Sequence, residues 1–263
     1  MKNAQSKRAI AVEEAIDYAI AHDTFQVYYQ PIYSSNTKTV TSCEALLRLT
    51  DKNLGPINPE EIIPVSEENG KIIQIGLIVL EDACKFVTDQ QIKSTGIEYV
   101  QVNISVIQCI QVDFVQRVTE ITEKYNVKPN QICFEITETL DSQISYVMNR
   151  NINELHTKGY LLALYDYGRG FANMDNLLRY PFNFIKLDKS MVWASFSCEK
   201  TKIAVESTVS MVKRLDMKII AEGVETYEQV QELLLIQCDF LQGYYFSRPV
   251  AKDQLLEKLK AIG

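Results

Sequence analysis

From about residue 98 onward, short β-branched apolar runs alternate with longer stretches of helical period. That pattern arises when parallel strands are joined by crossover helices. The runs predict strands near 98–105, 131–137, 160–166, 183–188, 217–222 and 240–246, with helical text such as ESTVSMVKRL and YEQVQELLL between them. The first third adds FQVYYQP and TVTSCEALLRL, two strands joined by the hairpin-like SSNTK, then helical text from Pro59 through Val87. Together these make eight strands, and the expected fold is α/β: a TIM-like (β/α)8 barrel with one antiparallel strand near the N-terminus. No Pro-rich or Gly/Ser-rich linker interrupts the alternation, so residues 1–263 read as a single domain with a core of about 8–260.

In such a barrel, chemistry collects at the C-terminal ends of the strands, where the loops converge on one mouth. The polar interruptions of the apolar runs fall there: Gln30, Glu44, Arg48, Asn103, Glu135, Asp166, Lys186, Asp188, Glu222 and Gln242. One carboxylate in an apolar run can be a structural accident; the same interruption on strand after strand points to a site. A buried carboxylate costs several kcal/mol unless it is paired or holds a metal. Carboxylates with an amide and no imidazole suit hard cations such as Mg2+ or Mn2+ better than zinc.

The net charge of −7 argues against duplex nucleic acid or an anionic membrane as partner, since both require a basic face. It leaves room for a small phosphate ligand held through carboxylate-bound metal. No apolar run approaches the length of a membrane span, and the first apolar stretch is quickly interrupted by acidic residues, unlike a secretory signal. A cytoplasmic location is expected. The six cysteines include no C-x-x-C pair and mostly sit in apolar stretches, as buried free thiols do. His22 and His156 fall in helix-like or turn-like text, which makes histidine-based catalysis a poor fit.

YYQP at 28–31, EALLR at 44–48, VNIS at 102–105, FEITET at 134–139, IKLD at 185–188, AEGVET at 221–226 and QGY at 242–244 resemble, in order and spacing, the EAL family of cyclic di-GMP phosphodiesterases. The resemblance implies that Glu44, Asn103 and Glu135 hold one divalent metal and that Asp166 and Glu222 hold a second, with Mg2+ or Mn2+ as the ions. It implies that Lys186 and Asp188 position the attacking water, with Glu222 beside them in the catalytic set, for hydrolysis of one phosphodiester to linear pGpG. Gln30, Glu44, Leu46, Arg48 and Gln242 are implied to contact the dinucleotide, Glu138 to brace the loop after strand 160–166, and Glu225 to line the pocket. A homodimer formed through the loop near 168–175 is also implied.

One motif departs from the family. Where the resemblance implies DDFGTG, the chain reads YDYGRG, so Tyr165 stands in place of an aspartate that bridges both metals, and Arg169 in place of a threonine. A phenol titrates near 10, so it is a neutral, single-oxygen ligand at neutral pH. A local bulge could re-aim Asp166 into the vacated position. Alternation of side chains along a strand argues against that shift.

The leading expectation is therefore a degenerate EAL domain that senses cyclic di-GMP, or binds a protein partner, with weak or no hydrolysis. An active phosphodiesterase and an interaction module that no longer binds nucleotide are the alternatives. A Schiff-base enzyme built on Lys186 is disfavoured, because Asp188 two residues on is expected to keep the amine protonated.

Overall fold

The computed structural model describes residues 2–137, 146–168 and 174–262, and of these says nothing about the side chains of 2–6, Thr137, Asp175, 261 and 262. Among the described residues there are nine strands: β1 Gln26–Ser34, β2 Thr39–Asp51, β3 Gly55–Ile57, β4 Tyr99–Ile104, β5 Ile132–Thr137, β6 Leu161–Tyr167, β7 Phe184–Leu187, β8 Lys218–Ala221 and β9 Phe240–Leu241. Their order is β1-β9-β8-β7-β6-β5-β4-β2-β3, and β1 also pairs with β2, so the sheet closes into a barrel with β3 appended to β2 outside the ring. β1 runs antiparallel to both β2 and β9, while the pairings from β2 through β4 to β9 are parallel. The hairpin expected in the first third is thus the antiparallel member of a TIM-like ring.

Alternation along the strands sorts residues into barrel interior and helix-facing shell. Val100, Val102, Phe134, Ile136, Leu162, Leu164, Ile185, Leu187, Ile219 and Leu241 belong to the shell cluster that packs under the helices. Ile32, Tyr99, Cys133, Ala163, Phe184, Ile220 and Phe240 form a separate cluster inside the ring. Stepping two residues toward the mouth from this inner layer reaches Gln30, Gln101, Glu135, Tyr165, Lys186, Glu222 and Gln242; Asn103 lies a further two residues beyond Gln101, and Glu44 two beyond Ser42. The apolar layer is the floor of the site, and the period of two places the polar layer on it.

Three details differ from the pattern expected. β9 ends at Leu241 instead of running to 246, because the chain turns there: a Cβ on Gly243 would lie 2.0 Å from the Val224 carbonyl oxygen and 2.3 Å from its nitrogen. β3 and the helix Lys2–His22 were not foreseen; Val12, Ala15, Ile16 and Ala19 of that helix pack on Leu49, Ile57, Ile62 and Ile75 as a satellite core. Of the six cysteines, five are buried but Cys198 is exposed, at the N-cap of the helix Glu199–Arg214.

Candidate functional site

Lys186 is the centre of the barrel mouth. Its side chain is 0% exposed, and its Nζ lies 3.1 Å from Glu44 Oε2, 2.8 and 3.0 Å from the two oxygens of Glu135, and 2.8 Å from Glu222 Oε1. Four strands deliver these groups: β2, β5 and β7 directly, and Glu222 from the residue after β8. Amides complete the ring. Asn103 Nδ2 donates to Glu44 Oε1 at 2.7 Å, and Gln242 Nε2 donates to Glu44 Oε2 at 2.7 Å and to Gln30 Oε1 at 3.2 Å.

The charges are unequal, three carboxylates around one ammonium. Burial disfavours the charge of Lys186, but Glu135, Glu222 and Glu44 outweigh it and hold the ammonium well above its ordinary pKa. Burial pushes Glu135 well up, helped by the nearby Glu44 carboxylate. Burial also pushes Glu222 up, to about 7, against the pull of Lys186. At Glu44 burial is overcome by Lys186 and the amides of Gln242 and Asn103, leaving its pKa below the usual range. Glu44 is therefore the anchored anion of the ring, and Glu222 the one that titrates near neutrality.

Tyr165 points into this mouth, with its ring centroid 5.1 Å from Lys186 Nζ. Burial, then the Glu222 carboxylate, push its phenol up, so it is neutral under ordinary conditions. Asp166 has φ 60°, and pairing slips between Leu164 and Tyr167, so β6 bulges at the Tyr165–Asp166 pair. Strict alternation had argued against such a bulge. The Asp166 charge acts on both Glu222 and Tyr165, which places its carboxylate beside the mouth.

Asp188 stands directly after β7. Its carboxylate accepts from Ser190 N at 2.9 Å and from the Ser190 hydroxyl, capping the helix Lys189–Ser195. The groups that keep Lys186 charged are the three glutamates. Leu46 is half-buried, opposite Tyr28 in the β1–β2 ladder. Arg48 donates to the Leu47 carbonyl at 2.7 Å, lies 5.5 Å from the Tyr28 ring centroid and forms no ion pair among the described residues. Glu225 is exposed, and its backbone N–H binds Gln229 at the start of the helix Tyr227–Leu235. Glu138, Arg169 and most of the loop near 168–175 lie outside the described residues.

The all-oxygen donor set has the chemistry of a hard-cation site, but its arrangement does not fit one. Both oxygens of Glu44 and both of Glu135 already receive hydrogen bonds from Lys186, Asn103 or Gln242. Among the described residues no three Asp, Glu, His or Cys side chains are placed to share a metal. What the mouth offers as it stands is a ring of carboxylates engaged by one ammonium, with amides and Arg48 beside it. No helix among the described residues is long and apolar enough to cross a membrane.

The sequence profile of the EAL domain matches residues 13–249. The oxygen sensor protein DosP of Escherichia coli (strain K12) is 29% identical over 96% of this chain and 32% of its own length. The cyclic di-GMP phosphodiesterase PdeL of the same organism is 27% identical over 97% of this chain and 71% of its own length. This chain spans about a third of the length of the curated relatives DosP, YkoW and MbaA. Among solved structures, the EAL enzyme Bd1971 in its cAMP- and cyclic-di-GMP-bound form superposes with a TM-score of 0.89, at 30% identity over 97% of this chain and 69% of that one. The PaMucR phosphodiesterase in complex with c-di-GMP gives 0.86, at 26% identity over 93% and 99%. The closed barrel, its antiparallel β1 and the ordered motifs across the mouth agree with the profile, and the chain belongs to the EAL domain family.

Proposed function

We propose that this chain recognises cyclic di-GMP and hydrolyses it weakly or not at all, so that it works as a sensor on an enzyme scaffold. One observation carries the reading: a neutral phenol, Tyr165, lies over Lys186 in the mouth where the family resemblance implies a metal-bridging aspartate. A phenol held protonated by burial supplies neither the charge nor the second oxygen of a carboxylate. The carboxylates around it are already engaged by an internal ammonium. The groups implied to contact the ligand, Gln30, Glu44, Leu46, Arg48 and Gln242, are all retained, and structural relatives named above were solved with cyclic di-GMP.

A second reading, an active phosphodiesterase, is favoured by the β6 bulge. With Asp166 at positive φ, its carboxylate is turned away from regular strand alternation and acts on Glu222. On this reading Asp166 replaces the missing aspartate, and Glu44, Asn103, Glu135 and Glu222 complete the ligand set for Mg2+ or Mn2+. Binding by calorimetry and pGpG formation by chromatography, each with Mg2+ and then Mn2+, separate the two. The sensor reading expects wild type to bind with little turnover and Tyr165→Asp to gain hydrolysis. Robust pGpG production by wild type would overturn it in favour of the enzyme.

A further inference from the structure

The segment after β9 leaves the site in an unusual way. Gln242 is 3% exposed and bonded inside the mouth, yet the next side chains, Tyr244 and Tyr245, are 51% and 44% exposed. The backbone there is not loose. Gly243 abuts Val224, Tyr245 N donates to Val224 O at 2.9 Å, and Phe246 N and Ser247 N both bond Gly243 O, at 3.1 and 3.2 Å. Gln30, itself in the site, donates to Ser247 O at 3.2 Å.

On this fixed turn the Arg248 guanidinium lies 4.4 Å from the Tyr244 ring centroid. Arg48, held against Tyr28, is close enough for the Tyr244 phenol to act on its charge. Arg48 with Tyr28 and Arg248 with Tyr244 thus form two cation–aromatic pairs, linked through the action of Tyr244 on Arg48. Neither arginine forms an ion pair among the described residues, although the Glu44 carboxylate acts on the Arg48 charge, in a chain whose net charge is −7. An exposed aromatic face braced by a planar cation, presented by a rigid turn beside buried amides, is what a flat, electron-rich ring with a nearby negative charge requires.

We propose that Tyr244 and Arg248 form a purine-stacking platform at the rim of the site, a specificity-determining element for a nucleotide ligand. Tyr244 supplies the ring face; Arg248 fixes its orientation and offers its own plane and charge. This rests on the reading that the chain recognises cyclic di-GMP, and it assigns one base of that ligand to the Tyr244 side of the mouth.

Calorimetric titration of cyclic di-GMP into the whole chain tests it. Removing one base stack weakens binding by about tenfold or more. Tyr244→Leu and Arg248→Ala are each expected to raise Kd by that factor, and Arg248→Lys to raise it too, since a lysine keeps the charge but loses the stacking plane. Tyr244→Phe is expected to stay within about threefold of wild type, because it keeps the ring. Tyr18→Leu, which removes another exposed tyrosine on a distant helix, is expected to change nothing, and matched thermal unfolding confirms that each variant is folded. Wild-type binding with unchanged affinity in Tyr244→Leu and Arg248→Ala would overturn the platform alone. No binding by wild type would overturn the cyclic di-GMP reading and the platform with it.

Discussion

Glu222 gives the sharpest handle on the electrostatics of the barrel mouth. Its side chain is 13% exposed, and burial pushes its pKa from an ordinary 4.5 to about 7. At about 1.36 kcal/mol per unit, that difference is worth about 3 kcal/mol. The native state holds the proton more tightly than the unfolded chain does. The effect is therefore absent below pH 4.5, grows as pH rises toward 7, and is a full destabilisation above that. Glu222→Gln keeps the shape of the protonated acid and cannot ionise. Relative to wild type, the variant is expected to gain about 3 kcal/mol between pH 4.5 and pH 8. Glu135 and Lys186, on both of which the Glu222 charge acts, respond to the substitution as well, so the direction of the pH-dependent gap is the prediction and about 3 kcal/mol its scale. Urea unfolding at several pH values, in buffer with a chelator so that no divalent ion enters the ring, reads the gap directly. Wild-type and variant stabilities that run parallel from pH 5 to 8 would refute the reasoning, as would a variant that loses ground at pH 8.

Lys186→Met leaves Glu44, Glu135 and Glu222 facing one another without their cation; a loss of about 3–5 kcal/mol at pH 7 is expected in chemical denaturation. The loss should shrink as acid protonates the carboxyls, and a pH-independent loss would point to packing instead. Gly243→Ala drives a Cβ into the Val224 backbone, which cannot give way as a flexible side chain can. A loss on the order of 3 kcal/mol or more in thermal unfolding is expected, and near-wild-type stability would contradict the geometry. Cys198 is exposed, and hydrogen bonds from Thr201 and Lys200 lower its pKa, whereas burial raises the other thiols that shift. One thiol per chain should react with Ellman's reagent in native protein and the remainder only after unfolding.

Much of the fold was legible because the barrel repeats one rule: an apolar residue in the inner layer, then a polar one two positions nearer the mouth. Cys133–Glu135, Phe184–Lys186 and Ile220–Glu222 each follow it, and the strands carrying them were placed within a residue or two. The alternation fails to mark β9, where FLQGYYF has the composition of a strand but Gly243 must turn against Val224. It also fails at Tyr165–Asp166, since a bulge is a register event between two strands and leaves no trace in the period of one. The expectation that Asp188 keeps Lys186 protonated gives way to the three glutamates for a related reason. Two residues from Lys186, Asp188 should share a face, but β7 ends at Leu187, and beyond that end a carboxylate is free to cap the next helix. The Tyr244–Arg248 pair was invisible as chemistry, because its meaning comes from a turn that presents both groups on the same side. The N-terminal helix was missed because its apolar positions face a small satellite core, not the barrel.

The pairing of β1 with β9, Tyr33 opposite Leu241 and Ser34 opposite Phe240, also governs how the molecule comes into being. Synthesis is vectorial, and the two halves of this joint are separated by roughly 200 residues, which at about 5–20 residues per second places β1 in the open for roughly 10–40 seconds before its partner exists. During that interval the β1 edge that will meet β9 has no strand to pair with, and the apolar floor of the site lacks Phe240. A cell making this protein must therefore protect an unfinished cylinder, and late-acting changes near Phe240 should appear as losses of soluble yield before they appear as losses of binding.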